Sequence, residues 1–221
     1  MNKQLILKAS ELALAAYNED IKGAMKIENA RTSTTAFILE EDNIQYIIFR
    51  GTQQVRDWIF NMTAIPWRYR GRWVHGGFMT AHRSVWKRIE SQLDASKEVV
   101  MIGHSLGGAL AELSAHVCRA WPKVKLITFG KPNVFLRPSK AKMKQLKTQI
   151  SFVCGSDVVS RIPAIGYSPD AGQTLVYFDN DDNTWVNPDK NYVRQNRGIS
   201  DAVSDHDMSG YRNLVLGFCA Q

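Results

Sequence analysis

The sequence predicts an α/β fold, a mainly parallel central sheet flanked by helices, on three observations. An apolar, β-prone run ends abruptly at Gly103, and a helical pattern with Leu106, Leu110, Leu113 and Val117 on one face begins at once. A second apolar run over 124–130 follows that helix, and strand, helix, strand in this order implies a right-handed βαβ unit with parallel strands. Further apolar runs at 149–154 and 173–178 extend the same sheet. A chain of 221 residues with 44% hydrophobic content fits one domain, residues 1–221, with a sizeable core.

The elements follow in chain order. Leu5, Ala9, Leu12, Ala13 and Ala16 recur at helical spacing, and Asn18 and Gly23 close that helix. Residues 34–39 and 45–50 are β-branched or aromatic runs separated by Glu40-Glu41-Asp42-Asn43, a hairpin signal whose second strand delivers Arg50-Gly51-Thr52. Val55, Ile59 and Met62 then share one face of a short amphipathic helix beside Trp58 and Phe60. Pro66 ends it, because proline disfavours helix in the residue before it. His75-Gly76-Gly77-Phe78 opens the next helix, with Phe78, Val85, Ile89 and Leu93 down one side. A basic helix is expected over 138–147 and a last helix from about Asp205-His206, its buried stripe formed by Met208, Tyr211, Val215 and Phe218. Asp179-Asn180-Asp181-Asp182-Asn183 lacks the glycine and terminal glutamate of a calcium loop and reads as a solvated turn. No metal and no cofactor is expected.

The net charge of +7 is unevenly spread: Arg119 to Lys147 contains no acidic residue. A solvated basic face explains this, and so does attraction to an anionic lipid surface. Nucleic acid is not an expected partner, since no helix-turn-helix, zinc-finger or RNP-like pattern accompanies the charge. Lys8, Ser10 and Glu11 interrupt what would have to be the apolar stretch of a signal peptide, and no run approaches transmembrane length. Cys118, Cys154 and Cys219 are odd in number and show no metal spacing, so they read as reduced packing residues. A cytoplasmic location is the expectation. No motif encodes an oligomeric state.

Gly103-His104-Ser105-Leu106-Gly107 lies at the junction of strand and helix and reads as a nucleophile elbow, a sharp turn that lifts a serine hydroxyl off the sheet. A serine hydroxyl is a poor nucleophile unless an imidazole takes its proton, and that imidazole needs a carboxylate to hold its tautomer. In sheets of this type the partners follow in the order serine, acid, histidine. Asp157 falls just after a predicted strand downstream of Ser105, and His206 is the histidine beyond it. His75, His82, His104 and His116 precede Asp157 and fail the order.

With these motifs in place, the sequence resembles the class 3, fungal lipase-like group of α/β-hydrolases. The resemblance runs from about Leu12 to Leu216. It rests on Gly-His-Ser-Leu-Gly-Gly, Phe49-Arg50-Gly51-Thr52 with Arg56-Asp57-Trp58, Val74-His75-Gly76-Gly77-Phe78, Thr128-Phe129-Gly130-Lys131-Pro132, 157–163, and Asp205-His206 with Tyr211. It implies an α/β-hydrolase fold and a serine carboxylic-ester hydrolase cleaving acyl esters of glycerolipids. Ser105 would be the acylated nucleophile, His206 the base and then acid, and Asp157 the orienting carboxylate. Thr52 and the backbone N–H of Leu106 would form the oxyanion hole.

The segment 53–66 resembles the family's lid, with Val55, Trp58, Ile59 and Met62 as its lid or substrate-binding residues. A fixed helix forming one wall of the pocket explains the same pattern. Aromatic residues Trp58, Phe60, Trp67, Tyr69 and Trp73 interleave with Arg56, Arg68, Arg70 and Arg72, which suits an anionic phospholipid surface. The expected partner is therefore a lipid or ester substrate, at a membrane or emulsion surface. Phospholipase A-type activity and short-chain or aromatic-acid esterase activity are the alternatives, and a catalytically idle binding scaffold is a third. Ser160 stands where many relatives have proline, and Asn133-Val134-Phe135 replaces Arg-Val-Gly. Neither departure touches the triad.

Overall fold

The computed structural model describes residues 1–52, 65–136, 146, 148–155, 157–168, 172–181, 183–196 and 206–221. Helix α1 (Lys3–Asn18) starts at Asn2, whose side chain accepts the Leu5 N–H at 3.1 Å, and stops at Glu19 in the left-handed region. Strand β1 (Met25–Asn29) comes next; only Ile27 in it is buried, too faint a pattern to read from sequence. The expected hairpin is β2 (Thr34–Glu41), two residues longer than predicted, and β3 (Ile44–Phe49), shifted by one residue. Asp42 and Asn43, at φ 51° and 62°, make its two-residue turn.

Strands β4 (Pro66–Tyr69) and β5 (Arg72–His75) form a second hairpin that the aromatic and arginine-rich composition had hidden, and Pro66 begins a strand there. Helix α2 (Gly76–Glu90) buries Phe78, Val85 and Ile89 as expected, but it ends before Leu93. Then come β6 (Glu98–His104), α3 (Leu106–Val117), β7 (Val124–Phe129), the short β8 (Phe135–Leu136) and β9 (Thr148–Cys154). The chain closes with β10 (Tyr167–Ser168), β11 (Thr174–Phe178), β12 (Thr184–Val186), α4 (Lys190–Gln195) and α5 (Met208–Ala220). The basic helix expected over 138–147 lies outside the described residues, Leu146 apart. So does the lid-like segment as far as residue 64, with Val55, Trp58, Ile59 and Met62.

The main sheet runs β1-β2-β3-β6-β7-β9-β11-β12. Its five middle strands, β3 to β11, are parallel, and both margins are antiparallel. Strand β6 reads as a continuous apolar run because both its faces are covered. Val99 and Met101 face the α2/α3 layer, while Val100 and Ile102 face the α1/α5 layer. A smaller antiparallel sheet, β10-β8-β5-β4, carries the second hairpin.

The Asp179 loop refines one expectation: Asn180, Asp181 and Asn183 are solvent-exposed as a solvated turn requires, but Asp179 itself is buried. The Asp179 carboxylate is 5% exposed. It accepts from the N–H groups of Asp181 and Asn183, from the indole of Trp185 at 2.9 Å and from the hydroxyl of Tyr192 at 2.7 Å. Cys118 packs in the core, where burial pushes its thiol up to about 12; Cys154 and Cys219 are half-buried.

Candidate active site

Ser105 occupies the abrupt junction of β6 and α3 at φ 56° and ψ −131°. Its N–H donates to the Phe129 carbonyl at 3.0 Å, which fixes the elbow to the neighbouring strand. The turn closes because glycines flank it: a Cβ on Gly103 would strike the Gly107 backbone, and one on Gly107 would strike the Phe49 carbonyl. The second approach brings the first turn of α3 against the end of β3, the strand that leads to Thr52. Leu106 is the first residue of α3, so its N–H is among those a helix leaves without an internal acceptor. The Ser105 side chain is fully buried, and its Oγ has no hydrogen-bond partner among the described residues.

Asp157 follows β9, and His206 immediately precedes Asp207, whose side chain caps α5 by accepting the Gly210 N–H at 3.1 Å. The structure brings this acid and this histidine together, with His206 Nδ1 2.7 Å from Asp157 Oδ2. With Nδ1–H donated to the carboxylate, Nε2 carries the lone pair, and Nε2 is likewise buried without a partner among the described residues. Asp157 is held from two further directions. The Tyr211 hydroxyl donates to Oδ2 at 2.6 Å, and the Val159 N–H donates to Oδ1 at 2.7 Å. Burial and the adjacent Asp157 charge push the Tyr211 phenol well above its ordinary value, so it stays a donor.

Four residues that shape the site are given no role by the sequence, although Gly130, His104 and Tyr211 stand in the motifs that carry the resemblance. Gly130 has φ 51°, and a Cβ there would lie 2.6 Å from Asp157 Oδ2 and 3.0 Å from the His206 ring. Tyr211 is reached through packing: Phe129, Phe152 and Phe178 stack across β7, β9 and β11, and Tyr211 sits edge-on to Phe129. The His104 ring lies 4.5 Å from that of His206, centroid to centroid, and Nδ1 of His104 bonds the Tyr17 hydroxyl at 2.6 Å. Burial and the neighbouring His206 hold His104 well below the usual histidine range, so it stays neutral beside the candidate base. Tyr17 lies 87 residues before His104, a separation at which periodicity gives no sign of contact.

The departures in the sequence have structural uses. Ser160 Oγ donates to the Asp157 carbonyl at 2.9 Å, closing the turn after the acid. Asn133 ties the 130–135 loop to that same turn, its N–H donating to Ile162 O at 2.8 Å and its side chain to Pro163 O at 3.2 Å.

Comparison with known proteins places the chain in a family. The profile of the class 3 lipase family matches residues 46–167. A lipase of Rhizomucor miehei is 34% identical over 108 residues, 44% of this chain and 30% of that protein. A Caenorhabditis elegans protein, lipase ZK262.3, is 30% identical over 157 residues, 62% of this chain and 44% of its own length. The alignments thus span less than half of either relative. Phospholipase A(1) DAD1 of Arabidopsis thaliana is 26% identical over 149 residues, 54% of this chain and 33% of that protein. Among solved structures, the Rhizomucor miehei triacylglyceride lipase superposes with a TM-score of 0.76 over 93% of this chain and 94% of its own, at 20% identity, and so shares the fold. With the family profile matched over more than half of its length, the chain belongs to the class 3 lipase family and has the α/β-hydrolase fold.

Proposed function

We propose that this protein is a lipase-type carboxylic-ester hydrolase that cleaves acyl esters of glycerolipids through an acyl-enzyme on Ser105. The observation that carries the reading is the buried His206–Asp157 pair, with Nε2 of His206 and Oγ of Ser105 both buried and unpartnered among the described residues. Family membership supports the reaction class, and the names of the relatives support the substrate class.

Ser105 Oγ attacks the ester carbonyl while His206 Nε2 takes its proton. Asp157 orients and stabilises the resulting imidazolium, and the Tyr211 hydroxyl and the Val159 N–H hold the carboxyl group in place. Negative charge develops on the former carbonyl oxygen, where the N–H groups of Thr52 and Leu106 are the donors; losing one such donor typically costs about 10²- to 10³-fold in rate. Collapse of the intermediate expels the alcohol, protonated from His206 Nε2. Water then repeats the sequence on the acyl-enzyme and releases the acid. Ser105→Ala should keep its thermal melt and lose ester hydrolysis by roughly 10⁵- to 10⁶-fold. Retained hydrolysis would overturn the reading.

A phospholipid acyl ester is the second reading, and the plant phospholipase A(1) relative favours it. A panel of triacylglycerol, phospholipid and soluble short-chain esters, above and below their solubility limits, separates the lipase, phospholipase and esterase readings.

A further inference from the structure

The β4–β5 hairpin has two unlike faces. Its inner side is fixed to the body of the protein: Tyr69 bonds His82 Nδ1 at 3.2 Å, the Arg72 guanidinium lies 3.6 Å above the Phe135 ring, and Val74 is fully buried. Arg72, counted by composition among surface arginines, is only 4% exposed. The other side presents Arg68 directly opposite Trp73, and the latter is 44% exposed. Trp67 pairs with Val74 and so belongs to the inner side, where it leans on Gly76 at the margin and still exposes 56% of its surface, next to Ile65 at 58%. The tip turns at Arg70 and Gly71, φ 49° and 88°, which places another exposed arginine at the end. Strand β4 is the outer strand of its sheet. From residue 65 to residue 89 the chain contains Arg68, Arg70, Arg72, Arg83, Lys87 and Arg88, and no carboxylate.

A rigid hairpin that exposes indoles between arginines fits one kind of surface. Indole rings settle at the boundary between headgroups and acyl chains, and guanidinium groups pair with phosphates. Two exposed tryptophans and an isoleucine without the charge would suit a neutral surface equally well. The arginines select a negative one, each strengthening adsorption about five-fold near an anionic leaflet.

We infer that the β4–β5 hairpin is a docking surface for an anionic phospholipid bilayer, through Arg68 and Trp73 on its outer side, Arg70 at its tip and Trp67 at its margin. The inference extends the lipid-hydrolase reading by naming how the protein meets its substrate's surface, but docking itself requires no turnover. The test therefore uses Ser105→Ala protein, which leaves vesicles intact, sedimented with vesicles of phosphatidylcholine alone and of phosphatidylcholine mixed with phosphatidylglycerol.

Binding should favour the mixed vesicles and weaken as salt is raised. Arg68→Glu with Arg70→Glu should lower partition into mixed vesicles by at least about 25-fold, while Arg68→Lys with Arg70→Lys should keep most of it. Trp67→Ser with Trp73→Ser should reduce binding to both kinds of vesicle. In the Ser105 background the charge-reversed protein should hydrolyse a soluble ester at the unaltered rate, which shows that it is folded. Equal binding to both vesicles, charge reversal without effect, or capture only by other proteins would overturn the inference. If no ester is cleaved by the unaltered protein but vesicle binding follows this pattern, the catalytic reading fails and the docking surface stands.

Discussion

Ser105 adopts a backbone conformation that L residues avoid, at φ 56° and ψ −131°, a strain worth about 1–3 kcal/mol. The strain is structural in origin and independent of the hydroxyl. Ser105→Ala should therefore retain it and Ser105→Gly should release it, less the extra chain entropy that glycine gains when unfolded. A net gain of about 1 kcal/mol would raise the melting temperature of the glycine variant a few degrees above that of the alanine variant in a domain of this size. Calorimetry of the pair checks this, and equal melting would mean the elbow stores no strain. Ser105, Asp157 and His206 could be singled out as candidates because the proposed chemistry demands particular residue types in a particular order. The sequence singles out Gly130 and Tyr211 as motif residues and passes over Tyr17, but it reports the contribution of none of them, because those contributions are contacts: a missing Cβ beside the acid, a hydroxyl on Asp157, a hydroxyl on His104. Nothing in a tyrosine's local sequence reports what its hydroxyl will meet.

Among the elements, those packed on both sides were the readable ones. Strand β6 and helix α3 announce themselves by unbroken and periodic apolar runs, since each is buried along nearly its whole length. Strand β1 buries one side chain, too few to make a pattern, whereas the β4–β5 hairpin does alternate aromatic with arginine, a two-residue period that reads from the sequence as interfacial composition instead of as strand. The Asp179 loop shows the same blindness from the other direction, because its polar, solvent-exposed residues conceal one buried carboxylate that gathers donors. Burial works to raise the Asp179 pKa, but donors from Trp185, Tyr192 and Asn183 outweigh it and hold the carboxyl down to about 2. A depressed carboxylate stabilises the fold above its unfolded value of 3.8, and that contribution is lost as pH falls toward 2. Asp179→Asn should thus destabilise the protein near neutral pH, by roughly 1–3 kcal/mol for a buried charged acceptor, and the deficit should shrink below pH 3.8. Denaturant melts of both proteins across that range check it. A deficit independent of pH would assign the loop's stability to packing alone.

At the scale of the molecule, the two helical layers bury four histidines against the sheets. His75, His82, His104 and His116 are each 2% exposed or less. Burial lowers His75 and His116 to about 4 and His82 to about 3, and it holds His104 well below its ordinary value. All four shifts have the same sign: the unfolded chain takes up protons at 6.5 while the folded chain does not. Stability is then full above pH 6.5 and drains as pH falls toward 4, each such histidine adding a slope of about 1.4 kcal/mol per pH unit. Chemical denaturation at pH 7, 6 and 5 should show this decline before carboxylates titrate, whereas a flat profile would mean that the histidines are solvated. The architecture also gathers the candidate site, because three successive parallel strands deliver the elbow, Gly130 and Asp157 to one end of the sheet and the start of α5 brings His206 to Asp157. The central claim is that this convergence makes Ser105 a nucleophile served by His206. The most direct measurement is labelling by a fluorophosphonate, in which Ser105 Oγ displaces fluoride from phosphorus and His206 takes the proton, read by peptide mass. The account predicts a single adduct on Ser105 that forms at least about 100-fold more slowly in His206→Ala. No adduct, or one formed as fast without His206, would contradict it.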